Sequence, residues 1–266
     1  MKRNLVALLA VAALAFLATG CNKLKARDNL NKGSQAFRSA QYAQAVERFE
    51  EAVRLDPNWP PPRLYLAMAY YMQYIPGAES PENQQMADRA LDQFKKVLEM
   101  DPKNDTATKS IASLFFYEKK WEQAEEWNKK VLELNPKDKE AYYTLGVIVW
   151  TKWFPADGGA RAKLGMTPEA PGPIKDKKVK EELKAQYLPM INTGIENLQK
   201  ALTIDPEYDD AMAYINLLIR ERADLDDDAE QYKKDINTAE GWVQKAMETK
   251  KIKAARKPTT TGINAQ

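Results

Sequence analysis

The segment AVERFEEAVRLDPNW, residues 45–59, sets a small residue at Ala45, an aromatic one turn on at Phe49, a second small residue at Ala52 and a helix-stopping proline at Pro57. Positions four and seven apart share one face of a helix, so the segment reads as a helix that meets a neighbour closely and then ends at Asp-Pro. The same pattern returns in ALDQFKKVLEMDPKN at 90–104, AEEWNKKVLELNPKD at 124–138 and GIENLQKALTIDPEY at 194–208. Its anchors there are Ala90, Phe94 and Pro102, then Ala124, Val131 and Pro136, then Leu198, Ala201 and Pro206. Pro102 and Pro136 stand 34 residues apart, whereas the intervals from Pro57 to Pro102 and from Pro136 to Pro206 are 45 and 70. The longer intervals mark two insertions, placed at about 72–82 and 151–187.

Composition agrees with helix. The chain has 266 residues with only 11 Gly, and Ala, Glu, Lys, Leu and Gln are abundant. Lys and Arg number 40 against 38 Asp and Glu, and Lys2 and Arg3 account for the difference, so the part after them is neutral and does not suit nucleic acid. There is no histidine, which removes the usual general base and the commonest metal ligand, and one cysteine allows no internal disulfide. No cofactor and no metal are expected.

The repeated helix of small and large positions, with Gly33, Tyr42, Ala45, Phe49, Ala52 and Pro57 in the first copy and Leu145, Gly146, Leu198, Ala201 and Pro206 in the fourth, resembles the tetratricopeptide repeat. Residues 29–250 are expected to form this domain. The resemblance implies an all-α, right-handed superhelical solenoid of about five helix pairs that binds a protein or peptide partner. A fifth pair begins at Tyr208 and places Ala239, Trp242, Val243 and Ala246 on its second helix. Carrying over the family's groove positions gives Leu64, Met68, Tyr71, Lys109, Ser113, Phe116, Tyr117, Tyr143, Val147, Trp150 and Arg220. The alternative for these side chains is packing against neighbouring helices or an insertion. The Lys and Asn pair of the carboxylate-binding subgroup is absent, because Ser113 follows Lys109 by one turn.

Met1-Lys2-Arg3-Asn4 is a basic start, Leu5 to Leu17 is uninterrupted apolar, and Ala18-Thr19-Gly20 supplies small residues before Cys21. This reads as a signal peptide over 1–20, since a spanning helix needs about 20 apolar residues; the alternative is an uncleaved anchor. Leu17-Ala18-Thr19-Gly20-Cys21 resembles the lipobox of bacterial lipoproteins. The resemblance implies cleavage before Cys21, a diacylglycerol on its thiol and an acylated amine, with Asn22 favouring the periplasmic face of the outer membrane in a two-membrane cell. Residues 21–28 are then expected to form a tether, and 251–266 a disordered basic tail.

The insertion at 151–187 mixes Gly and Pro with Trp153 and Phe154, and Asp157-Gly158-Gly159 reads as a turn. Lys175 to Gln186 is helical in composition, and Pro189 should kink that helix or begin the next. The run Asp224 to Asp228 lacks the glycine and distal Glu of a calcium loop, so it reads as a turn leading into the last helix. The expected function is a non-enzymatic, lipid-anchored scaffold for a protein or peptide partner at the cell envelope. The alternatives are a cell-wall-associated enzyme or binder that uses residues 151–187, or a self-associating structural lipoprotein.

Overall fold

The computed structural model of the protein describes residues 21–167 and 172–256. The signal segment expected at 1–20 and residues 257–266 of the expected tail lie outside the described residues. Helix α1 covers residues 21–38, and the others follow as α2 (Tyr42–Leu55), α3 (Pro60–Tyr71), α4 (Pro81–Met100), α5 (Asp105–Tyr117), α6 (Trp121–Leu134), α7 (Lys139–Lys163), α8 (Lys177–Ile204), α9 (Asp209–Ala223) and α10 (Ala229–Arg256). No strand occurs among the described residues. No described helix is long and apolar enough to cross a membrane. The chain divides into two compact units, Met1–Trp127 and Asn128–Gln266.

The four Asp/Asn-Pro motifs build one turn four times. Each proline stands two residues beyond the last helical residue, after Leu55, Met100, Leu134 and Ile204. Each turn is closed by a backbone bond across three residues, from Trp59, Asn104, Asp138 and Tyr208 to the carbonyls of Asp56, Asp101, Asn135 and Asp205. Asn104 and Asp138 then cap the next helix by accepting from Ala107 N at 3.0 Å and Ala141 N at 2.9 Å. The residue that ends one repeat's turn thus starts the next helix.

In unit 1, α2 packs on α3, α3 on α4 and α4 on α5. Ala45, Phe49, Ala52, Ala90, Phe94, Val97 and Ala124 are buried at the places their spacing foretells, and Gly33 sits so close to Phe49 that a β-carbon there would lie 2.5 Å from the ring. Residues 21–28 are not a loose tether: they are the first turns of α1, with Ala26 buried, because Ala, Lys, Leu and Arg hold a helix without interruption. The first insertion is a loop over 72–80, closed by Ser80, which caps α4 through Asn83 N.

In unit 2, α7 packs on α8, α8 on α9 and α9 on α10, and α7 also touches α9, so the first helices of successive pairs meet directly. Ala239 is buried, and Trp242 and Ala246 pack against the same core. The second insertion is not a loop excursion. Its first half prolongs α7 to Lys163 through Pro155 and Gly158-Gly159, and its second half is the start of α8, which runs through Pro189. A helical Pro costs about 3 kcal/mol and each Gly about 1. Burial of Trp153, which is 0% exposed, offsets that by about 4–6 kcal/mol at the usual area coefficient. The helix therefore overrides its own breakers. The basic segment is also ordered as far as Arg256: Lys253 pairs with Asp209, and Arg256 makes two bonds to Glu207 at 2.8 and 2.7 Å.

Candidate functional site

Unit 2 presents an aromatic strip. Tyr143, Trp150 and Phe154 follow one another at seven and four residues along α7, which keeps them on one face, and α9 adds Tyr214. Trp150 stacks on Phe154 with ring centres 4.9 Å apart and meets the edge of Tyr214 at 5.8 Å. Tyr143 packs on Tyr214 at 5.6 Å and on Tyr208 at 5.0 Å. The rings hold one another in fixed orientations, as offset and edge-on aromatic pairs do. Phe154 is 47% exposed, while Tyr143, Trp150 and Tyr214 are half-buried, so the strip has a packed base and an open edge.

Acids fringe the strip. The Tyr208 hydroxyl donates to Glu140 at 2.5 Å, and Asp210 stands exposed beside Tyr143 and Tyr214. Burial, then Tyr214 and the charges of Asp210 and Glu140, hold the Tyr143 hydroxyl far above its ordinary range, so it remains a neutral donor at any physiological pH. Val147, expected in the groove, is 6% exposed and belongs to the interior. Arg220 is engaged with Asn216 at 2.9 Å.

Unit 1 carries a smaller set. Tyr71 packs edge-on against Phe94 at 6.4 Å and bonds Ser113, and burial raises its hydroxyl above the usual value. Tyr117 is exposed beside it, and Phe116 meets Trp121 edge-on at 5.6 Å. Leu64 and Met68 are half-buried, and Lys109 pairs with Asp105 at 2.7 Å. Met72 and Ile75, in the loop that follows Tyr71, are exposed. That loop is pinned by Asn83, which accepts from Ile75 N at 2.7 Å and donates to the carbonyls of Ile75 and Ala78 at 2.9 and 2.8 Å.

Residues 84–146 match the family model described as tetratricopeptide repeat. That stretch is tetratricopeptide repeat, and the chain has the fold of tetratricopeptide-repeat structures. Its fold is shared with MamA 41-end from Desulfovibrio magneticus RS-1, at 21% identity over 86% of this chain and 96% of that one, with a TM-score of 0.56. It is also shared with YrrB, described as a tetratricopeptide-repeat protein with an unusual peptide-binding site, at 15% identity over 84% of this chain and 90% of that one, with a TM-score of 0.52. No curated protein sequence matches the chain.

The repeats account for the strip's framework but not for its full membership. Tyr143 and Trp150 follow from groove positions carried over from the family, whereas Tyr214 and Phe154 were not expected there. Tyr214 occupies the first helix of the fifth pair, so its groove-facing position was open to the same transfer. Phe154 joins only because α7 continues past the ordinary end of a repeat helix. Trp153, its neighbour, points the other way and is wholly buried, with its indole N–H donating to Glu221 at 2.5 Å. Two of the acids at 224–228 are likewise committed: Asp224 pairs with Arg161, and Lys180 and Lys184 hold the Asp227 carboxyl down at about 2.

Proposed function

We propose that the protein is a non-enzymatic, lipid-anchored scaffold that holds an extended or helical segment of a protein partner at the cell envelope. The observation that carries the binding half is the aromatic strip of Tyr143, Trp150, Phe154 and Tyr214, ordered by its own ring contacts and open along one edge. Rigid aromatics with an exposed edge supply contact area at low entropic cost, and helical-repeat faces take peptide segments in this manner. Glu140 and Asp210 favour a segment that sets a basic residue beside its apolar anchors. The anchoring half rests on the apolar run from Leu5 to Leu17 and on Cys21, whose side chain is exposed.

The test is capture of partners from detergent-solubilised envelope with the tagged full chain, followed by affinity measurement on the captured partner. Trp150→Ala should weaken binding about thirtyfold or more, as loss of an anchoring aromatic does, while Glu196→Ala on the exposed side of α8 should leave it unchanged. Equal affinities for the two folded variants would remove the strip from the function. The reading in which residues 151–187 form an enzymatic or wall-binding site is less favoured, because Trp153, Asp157 and Arg161 of that segment face inward. Sedimentation of the chain distinguishes self-association.

A further inference from the structure

Three carboxylates and one guanidinium meet in unit 2 next to the aromatic strip, with Asp157 and Arg161 buried and Glu221 and Asp224 partly so. Asp157 and Arg161 come from the prolonged end of α7, Glu221 and Asp224 from the end of α9. Arg161 is 1% exposed and donates Nε to Asp157 at 2.8 Å and its terminal nitrogen to Asp224 at 2.6 Å. Glu221 accepts the Trp153 indole N–H. One oxygen of each acid lies within 4.8 Å of the others, and the second oxygen of Asp157, Oδ1, is buried with no hydrogen-bond partner. Three carboxylates against one guanidinium leave two negative charges uncompensated, and burial penalises such charge heavily. A proton taken into the cluster removes one of them and supplies an O–H for the orphaned oxygen.

We propose that this cluster is a proton-operated latch, which on mild acidification takes up a proton and fastens the prolonged end of α7 to the end of α9. The surroundings agree. Burial, with the like charges of Asp157 and Glu221 added and Arg161 opposing, pushes Asp224 up to about 7, and burial raises Asp157 and Glu221 as well. α8 contributes the Tyr187 ring, edge-on to Trp153 at 5.2 Å, and the connecting segment contributes the Gly172 carbonyl to Arg161 and the Ile174 N–H to the Asp224 carbonyl. Neighbouring charges are committed elsewhere: Arg222 to Asp235 of α10, and Lys180 and Lys184 to Asp227. The Trp150 indole nitrogen is buried beside Glu221, so the latch adjoins the strip.

The sign follows from linkage. A carboxyl whose folded value lies above its unfolded one binds its proton more tightly in the fold, so the latch strengthens as pH falls from about 7 towards the ordinary carboxylate range and weakens as pH rises through that window. The Trp153 indole N–H, hydrogen-bonded to Glu221, is the built-in reporter. In nuclear magnetic resonance of the full chain, its signal, assigned with Trp153→Phe, should titrate with a midpoint near 7. Amide exchange at residues 157–163 should quicken about tenfold for each pH unit between the ordinary carboxylate range and about 7, and level off above it, beyond the ordinary base dependence of exchange. Asp224→Asn should abolish that titration; if this variant does not fold, Glu221→Gln should move the midpoint downward by a unit or more. Titration of the Trp153 signal below pH 5, or an unchanged midpoint in the folded variants, would overturn the latch. So would a magnesium or calcium chloride titration at pH 8 that reproduced the acid form, since the cluster would then hold a cation and not a proton.

Discussion

A β-carbon added to Gly146 would stand 2.4 Å from Cγ of Leu198, the side chain that α8 drives into its crossing with α7. Gly194 repeats the relationship one layer on, where a β-carbon would lie 2.8 Å from Leu218 and 2.9 Å from Val149. Neither neighbour can retreat, because Leu198 and Leu218 are themselves fully buried. Gly146→Ala should therefore destabilise unit 2 by about 1–3 kcal/mol through overpacking, despite the better helix propensity of Ala. Gly241→Ala, on an exposed stretch of α10 with nothing within 4 Å of the added carbon, should raise stability slightly. Thermal unfolding followed by circular dichroism separates the two. A Gly146→Ala midpoint equal to or above the parent's would refute the crossing.

Two helix–helix turns in unit 1 pass through the left-handed region at residues that carry a side chain, Ala40 with φ 57° and Lys119 with φ 58°. Both follow the end of a first helix, where glycine is the usual choice because it has no Cβ to crowd the carbonyl. Lys119→Gly should stabilise the α5–α6 turn by about 1 kcal/mol, less the extra entropy glycine brings to the unfolded chain. The check is a urea titration of the variant, with an upward shift in midpoint as the expected result.

Asn83 shows why the loop at 72–80 was only half legible. Its existence followed from the 45-residue interval between prolines, which is a property of sequence alone. Its anchoring did not, because the three bonds Asn83 makes to Ile75 and Ala78 depend on the loop already being folded back over α4. The same holds for Phe154, Trp153 and Arg161. Repeat grammar is local, so Ala45, Phe94 and Gly146 could be placed by counting; the fate of residues 151–163 depended on whether a buried indole outweighs a proline and two glycines, and no spacing reports that balance. Asn83→Ala should leave two carbonyls and one N–H to find water, costing about 1–3 kcal/mol locally. Limited proteolysis should then cut within 72–80 while the repeat helices stay intact. A digestion pattern identical to the parent's would mean that Pro76 and Ser80 hold the loop without it.

Arg161 separates a structural ion pair from a dispensable one. Removing only the guanidinium, as in Arg161→Met, leaves Asp157, Glu221 and Asp224 facing one another with no counter-charge, and breaking a buried pair in this way costs about 3–5 kcal/mol. The double variant Arg161→Met with Asp157→Asn should recover part of that loss, because it removes one of the stranded charges. Denaturant unfolding monitored by tryptophan emission is the measurement, and additivity of the two changes would show that the residues do not act as a pair.

Cys21 is the point at which anchoring and folding should come apart. Its side chain is exposed, and α1 is already helical at that residue, so nothing in the packing of unit 1 depends on the thiol. If the thiol carries lipid, several acyl chains at about 0.8 kcal/mol per buried methylene hold the protein on the bilayer without any help from the repeats. Cys21→Ser, which cannot form the thioether, should then move the protein from the detergent phase to the aqueous phase in a phase-separation assay and lose labelled palmitate, with helicity and melting midpoint unchanged. The absence of a slack segment between the residue 21 backbone and the first repeat carries a second consequence. Inserting a short Gly-Ser linker after Asn22 should leave acylation intact while freeing the repeats to turn against the membrane, so site-specific crosslinking to lipid from residues of α1 should fall. Labelled palmitate retained by the Cys21→Ser variant would place the anchor elsewhere.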